Sequence, residues 1–205
     1  MFAGEQIAVD DPGKPDIRAL LQRHLRFALG QTPPEHSFAL DTDGLLDPAI
    51  TFFSFRADGR LLGIGALKRL SPRHAEIKSM HTDRAARGRG VGRAMLAHLL
   101  DTARSRGFRQ VSLETGTTAA FAPARALYES AGFVPCGPFA GYQPSEDNVF
   151  MTLELDPASF AADGRGGGKA WHEEAEFAAL PRLALDLDAR SQRLRGPAGD
   201  GQAES

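Results

Sequence analysis

The string Arg87-Gly88-Arg89-Gly90-Val91-Gly92 constrains this chain more than any other. It falls between a strand-like run at 75–82 and a run at 91–103 whose apolar residues recur at helical spacing. Glycine carries no Cβ, so backbone there can approach a ligand closely. The first turn of a helix leaves N–H groups unpaired, at the positive end of the helix dipole. Strand, glycine turn and helix start, in that order, make a seat for a phosphate. A basic cluster of Arg84, Arg87, Arg89 and Arg93 surrounds it. Such a cluster can be a solvated surface; the glycines between the arginines favour a phosphorylated small molecule as its partner.

Punctuation and periodicity supply the elements on either side. A short strand at 6–9 ends at Asp11-Pro12-Gly13. Ile17, Leu20, Leu21, Leu25 and Ala28 predict a helix over 15–29, opened by Pro15 and stopped by Gly30. Residues 31–46 read as a loop. Strands follow at 50–56 and 61–70, joined at Asp58-Gly59, a strong hairpin signal. The 75–82 strand completes this meander. After the helix at 91–103, Val111, Leu113 and Thr115 alternate with Ser112 and Glu114, predicting a strand at 109–115. Ala124, Leu127, Tyr128 and Ala131 form the stripe of a helix that Pro123 opens and Gly132 closes. A strand pair at 133–137 and 149–155 ends the ordered pattern. Beyond Asp156-Pro157 the character changes. Residues 164–168 form a glycine-rich linker, 171–187 suit a short helix, and 190–205 read as disordered. The expected organisation is a domain over 1–157 and a linker and tail over 158–205.

Composition excludes several functions. The formal net charge is −2, unlike a general nucleic-acid binder. No apolar run is long enough to span a bilayer, and 1–10 show no signal-peptide pattern. Cys136 is the only cysteine, which rules out an intrachain disulfide and fits a reducing compartment. A cytoplasmic protein without nucleic-acid or membrane partners is the expectation. The histidines lack paired ligand spacing, so no metal is expected. Cys136 reads as a small buried residue rather than a nucleophile.

The order strand, helix, meander, glycine loop, helix, strand, helix, strand pair resembles that of the GNAT superfamily of N-acetyltransferases. That family's Gln/Arg-x-x-Gly-x-Gly/Ala pattern maps onto Arg87, Gly90 and Gly92 without a gap. Its Leu-Tyr-x-x-x-Gly-Phe pattern maps onto Leu127, Tyr128, Gly132 and Phe133. Glu76 to Met80, Leu113 to Gly116 and Cys136 to Phe139 are similar to small bacterial members. The resemblance spans about 6–155. Where many members carry an Asn before the last helix, this chain has Phe121.

The resemblance implies an α/β (α+β) fold: a mixed, mainly antiparallel sheet flanked by helices. It also implies acetyl-CoA as co-substrate, bound where the central strands splay. Gly88 to Gly92, with Arg87, Arg89 and Arg93, would hold the pyrophosphate. Backbone groups of Met80, His81 and Thr82 would hold the pantetheine arm, the other reading being plain strand pairing. A small-molecule or peptide amine is the implied acceptor, and a homodimer is common in the family.

Direct attack needs a neutral amine, an aligned thioester and a proton for the departing thiolate. Tyr128 resembles the family residue that gives this proton; otherwise it is a core tyrosine bonded to backbone. Glu114 and Glu76 each interrupt an apolar strand. Either could deprotonate the ammonium or bind its charge. The other readings are a solvent-facing Glu76 and a Glu114 that accepts bonds within the 116–122 loop. His24, Glu35, Ser37 and Tyr142, with His36, are candidates for the acceptor site, though a satisfied core histidine and solvated loops explain them as well. A non-catalytic acyl-CoA-binding module, sensing through Trp171 and Phe177 of the tail, is the second functional reading.

Overall fold

A computed structural model describes residues 4–33, 36, 38 and 40–155. The expected linker, tail helix and disordered end lie outside the described residues, as do Glu35 and Ser37. Seven strands form one sheet: β1 (Gln6–Val9), β2 (Ile50–Ala57), β3 (Arg60–Arg69), β4 (His74–Thr82), β5 (Gln110–Gly116), β6 (Val134–Cys136) and β7 (Asn148–Glu154). Their order across the sheet is β1-β2-β3-β4-β5-β7-β6. Only β4 and β5 run parallel; the other neighbours are antiparallel. Helices α1 (Pro15–Leu29), α2 (Val91–Ser105) and α3 (Ala122–Ser130) complete the chain. The mixed, mainly antiparallel architecture agrees with the expectation.

Local sequence explains most of these elements. Asp58 and Gly59 take φ of 49° and 76°, as a tight two-residue hairpin requires. The predicted stripe of α2 is buried throughout: Val91, Met95, Leu96, Leu99, Leu100 and Ala103. Burying one such leucine contributes roughly 1.5–3 kcal/mol. This helix packs in the larger core with Phe53, Phe55, Leu67, Ile77, Val111 and Tyr128. A smaller core on the opposite face joins Ile17, Leu20 and Leu21 of α1 to Phe52, Ile64 and Ala66.

Two irregularities in β4 create the cleft. Pairing between β4 and β5 runs from His74–Gln110 to Ile77–Leu113 and stops there. Lys78 to Thr82 therefore keep β3 on one side and have no strand on the other. A bulge also interrupts the β3–β4 register, where Ile64 and Ala66 face His81 and Lys78. The extra residue lies near Ser79, whose φ is 53°, a rare and strained value for a non-glycine residue. It shifts the alternation by one. Met80 then packs with the α2 side, and His81 joins Glu76 and Lys78 on the α1 side.

One expectation needs correction. Cys136 is half-buried rather than buried, because β6 is the edge strand of the sheet. Burial still pushes its thiol above the ordinary range, which disfavours a nucleophilic role.

Candidate active site

A cleft of about 550 Å³ opens where β4 and β5 part. The glycine loop forms one end. Gly88 and Gly90 take φ of 71° and 85°, and a Cβ on either would meet nothing within 4 Å. Gly90 caps α2 without a side-chain bond to the first turn, whose amides have no partner within the helix. Arg87, Gly88, Gly90, Val91, Gly92 and Arg93 all line the cleft. Arg89, between them, is exposed. These features fit a pyrophosphate: open backbone N–H groups, a helix dipole and two guanidinium groups. Met80, His81 and Thr82 line the adjoining wall, on the stretch of β4 that β5 leaves free.

Tyr128, on α3, lines the cleft. It is 7% exposed and packs edge-on against Phe133, with ring centroids 5.9 Å apart. No described residue bonds its hydroxyl, so it is not the backbone-bonded core tyrosine of the other reading. Burial, reinforced by the nearby Glu114 carboxylate, pushes its phenol far up.

The other end is a buried polar network. Glu76 is 1% exposed, so it does not face solvent. Its Oε1 accepts from Lys78 Nζ at 3.1 Å and from the Tyr142 hydroxyl at 2.5 Å. Lys78 Nζ also donates to Tyr142 at 2.7 Å. Glu114 accepts from Asn148 Nδ2, whose second bond, at 3.1 Å, goes to the carbonyl of His36. Its partner is thus on β7 and not in the 116–122 loop. Burial raises the Glu114 carboxyl, Asn148 and Lys78 lower it, and Glu76 adds to the rise. His36 Nδ1 meets Asp147 at 2.8 Å.

His24 and His81 lie between the two ends, with ring centroids 5.1 Å apart. Burial lowers His24 to about 4, helped by Lys78. Burial lowers His81 to about 3, helped by His24 and Arg87. Both rings are therefore neutral near pH 7. His24 Nδ1 and Ser79 Oγ are buried without a partner among the described residues, and both residues line the cleft.

Of the acceptor candidates, His24 lines the cleft itself, and Tyr142 closes its wall through Glu76 and Lys78. Lys78, Asn148 and Phe27 were not singled out from the sequence, and Phe121 was noted only as standing where many family members carry an Asn. For Lys78 a signal existed, since it alternates in phase with Glu76. Asn148 offered none, because its role depends on its pairing opposite Gly116. Among the described residues no group of three His, Cys, Asp or Glu side chains could hold a metal, and no helix is long and apolar enough to cross a membrane.

Known proteins resemble this chain in sequence and fold. The acetyltransferase (GNAT) family matches residues 15–133. YsnE of Bacillus subtilis, an uncharacterised N-acetyltransferase, is 44% identical over 149 residues, covering 73% of this chain and 99% of the relative. YedL of Escherichia coli, also an uncharacterised N-acetyltransferase, is 42% identical over 149 residues, covering 73% and 94%. A Klebsiella pneumoniae protein described as an acyl-CoA N-acyltransferase superposes with a TM-score of 0.60 at 27% identity, over 74% of this chain and 98% of that one. The chain therefore belongs to the GNAT family of acetyltransferases and is an acyltransferase.

Proposed function

We propose that this enzyme transfers an acetyl group from acetyl-CoA to a primary amine by direct attack in a ternary complex. One observation carries the reading: the open glycine loop and the unbonded Tyr128 hydroxyl share a single cleft, at the point where β4 leaves β5. Backbone N–H groups of residues 88–92, with Arg87 and Arg93, hold the pyrophosphate. The free edge of Met80 to Thr82 holds the pantetheine arm.

The amine nitrogen bonds to the thioester carbonyl carbon, and the carbon–sulfur bond breaks. The sulfur takes its proton from Tyr128. Burial keeps this phenol protonated throughout the working pH range, and it makes the thiolate in the same cleft more basic. The nitrogen's proton goes to Glu114. Its raised carboxyl is closer to an amine in basicity than an exposed one. Glu76 is less suited, because Lys78 and Tyr142 already hold its carboxylate. It shapes the acceptor wall together with His24. The binding-module reading drew on the tail, outside the described residues, and membership in an acyltransferase family displaces it.

The test is release of CoA thiol from acetyl-CoA across a panel of amines, with Tyr128→Phe alongside. Amine-dependent release that falls in the variant, at unchanged acetyl-CoA affinity, supports the assignment. Equal loss of turnover and affinity overturns the acid role.

A further inference from the structure

Two rings that take no part in the proposed proton transfers bridge the acceptor end. Phe121 sits in the turn between β5 and α3 and rests on Gly116. A Cβ on Gly116 would stand 2.4 Å from that ring, so glycine is what admits it. Arg125 ties the same turn down, donating to the carbonyls of Gly116 at 2.6 Å and Thr118 at 3.0 Å. Held there, Phe121 meets Phe27 of α1 edge-on, with centroids 5.1 Å apart. Both line the cleft. Phe38 lines it too and packs 4.6 Å from Tyr142.

The charge at this end is as restrictive as the shape. The Lys78 ammonium is bonded to Glu76 and Tyr142. The two imidazoles are neutral near pH 7. Among the described residues, an incoming molecule meets one carboxylate without a cationic partner, Glu114, set among aromatic rings. One ammonium can be matched there. A second cation would be buried against rings and near Lys78. A carboxylate would be buried near Glu114, and the one ammonium among the described residues at this end, Lys78, is already bonded, so such burial is costly.

We infer that the acceptor is a primary monoamine with a compact aromatic body, seated against Phe27 and Phe121 with its nitrogen toward Glu114. This rests on the N-acetyltransferase reading and narrows its substrate class. Free amino acids and polyamines are excluded as good acceptors by the same pocket.

The experiment uses the full chain at saturating acetyl-CoA and follows thiol release with 2-phenylethylamine, phenylalanine and spermidine. Phenylalanine has the same ring with a carboxylate added, and spermidine adds charge without a ring. The expected kcat/KM for 2-phenylethylamine exceeds both others by about tenfold or more. Phe121→Ala is expected to raise the KM for 2-phenylethylamine about tenfold, with the KM for acetyl-CoA within about threefold. Phe27→Leu reads the same seat from α1, should Phe121→Ala fail to fold. A preference for spermidine or phenylalanine overturns the inference and leaves the acetyltransferase reading standing. An unchanged amine KM in the folded variants overturns the aromatic seat. No release with any amine of a broad panel overturns the acetyltransferase reading and this inference together.

Discussion

The two ends of the cleft are built by opposite means. At the glycine loop one contiguous segment supplies backbone N–H groups, a helix dipole and flanking arginines. At the acceptor end the polar atoms are side chains, drawn from α1, β4, β5, the loop before β7 and β7 itself. The first end works while exposed, because covalent geometry and helix hydrogen bonding aim its dipoles. The second works only when buried, because Glu76, Lys78 and Tyr142 must satisfy one another. A backbone site thus suits the half of the reaction in which the ligand does not vary. A side-chain site suits the half that discriminates.

If the ends are separable in this way, changes at each should leave the other intact. The largest effect is expected at Tyr128. Tyr128→Phe should lower kcat by about 10²–10³-fold, the range general acids supply, with the KM for acetyl-CoA within about threefold. Steady-state kinetics with both substrates checks this. Glu114→Gln should lower kcat by about 10–10²-fold. Because the Glu114 carboxyl is raised, the acidic limb of the wild-type profile should lie above the ordinary carboxylate range and vanish in this variant. A pH–rate series decides the point. Glu76→Gln should keep the limb, and a limb lost in Glu76→Gln but kept in Glu114→Gln would reverse the two roles.

Gly90→Val is expected to act at the other end alone. A branched residue at φ of 85° costs about 1–2 kcal/mol, or about tenfold in acetyl-CoA affinity, with the amine KM unchanged. Calorimetric titration with acetyl-CoA measures it, and an equal rise in the amine KM would break the comparison.

The last expected effect is on stability. The unfolded chain takes up protons on His24 and His81 near pH 6.5, whereas the folded chain resists until about 4 and about 3. The unfolded state thus binds more protons within that window. Tm should fall as pH drops below about 6.5. His81→Asn should flatten the slope, which thermal melts across pH 3–8 would show.

Legibility in the sequence followed the same division. The glycine loop, the Asp58-Gly59 hairpin and the α2 stripe were readable because each depends on neighbours a few residues away. Glu76 could have faced solvent on sequence grounds, and Tyr142, from a distant loop, is what closes over it. His81 shows the limit most plainly. Strict alternation would put it on the α2 side with Ile77, and one extra residue near Ser79 turns it toward His24 instead. Nothing local to His81 announces a bulge, because the register is set jointly with β3.

The sequence by itself determined the element order, the glycine loop on a strand–helix rim, the family and the helix that carries Tyr128. Backbone preference and apolar periodicity are local, so these could be read along the chain. Tertiary structure decided which of the two carboxylates is ion-paired, which lysine is already bonded, and which rings line the cleft. Those properties belong to pairs of residues far apart in sequence. Burial and hydrogen bonding set them, and neither exists until the sheet, α1 and the loop before β7 have packed together.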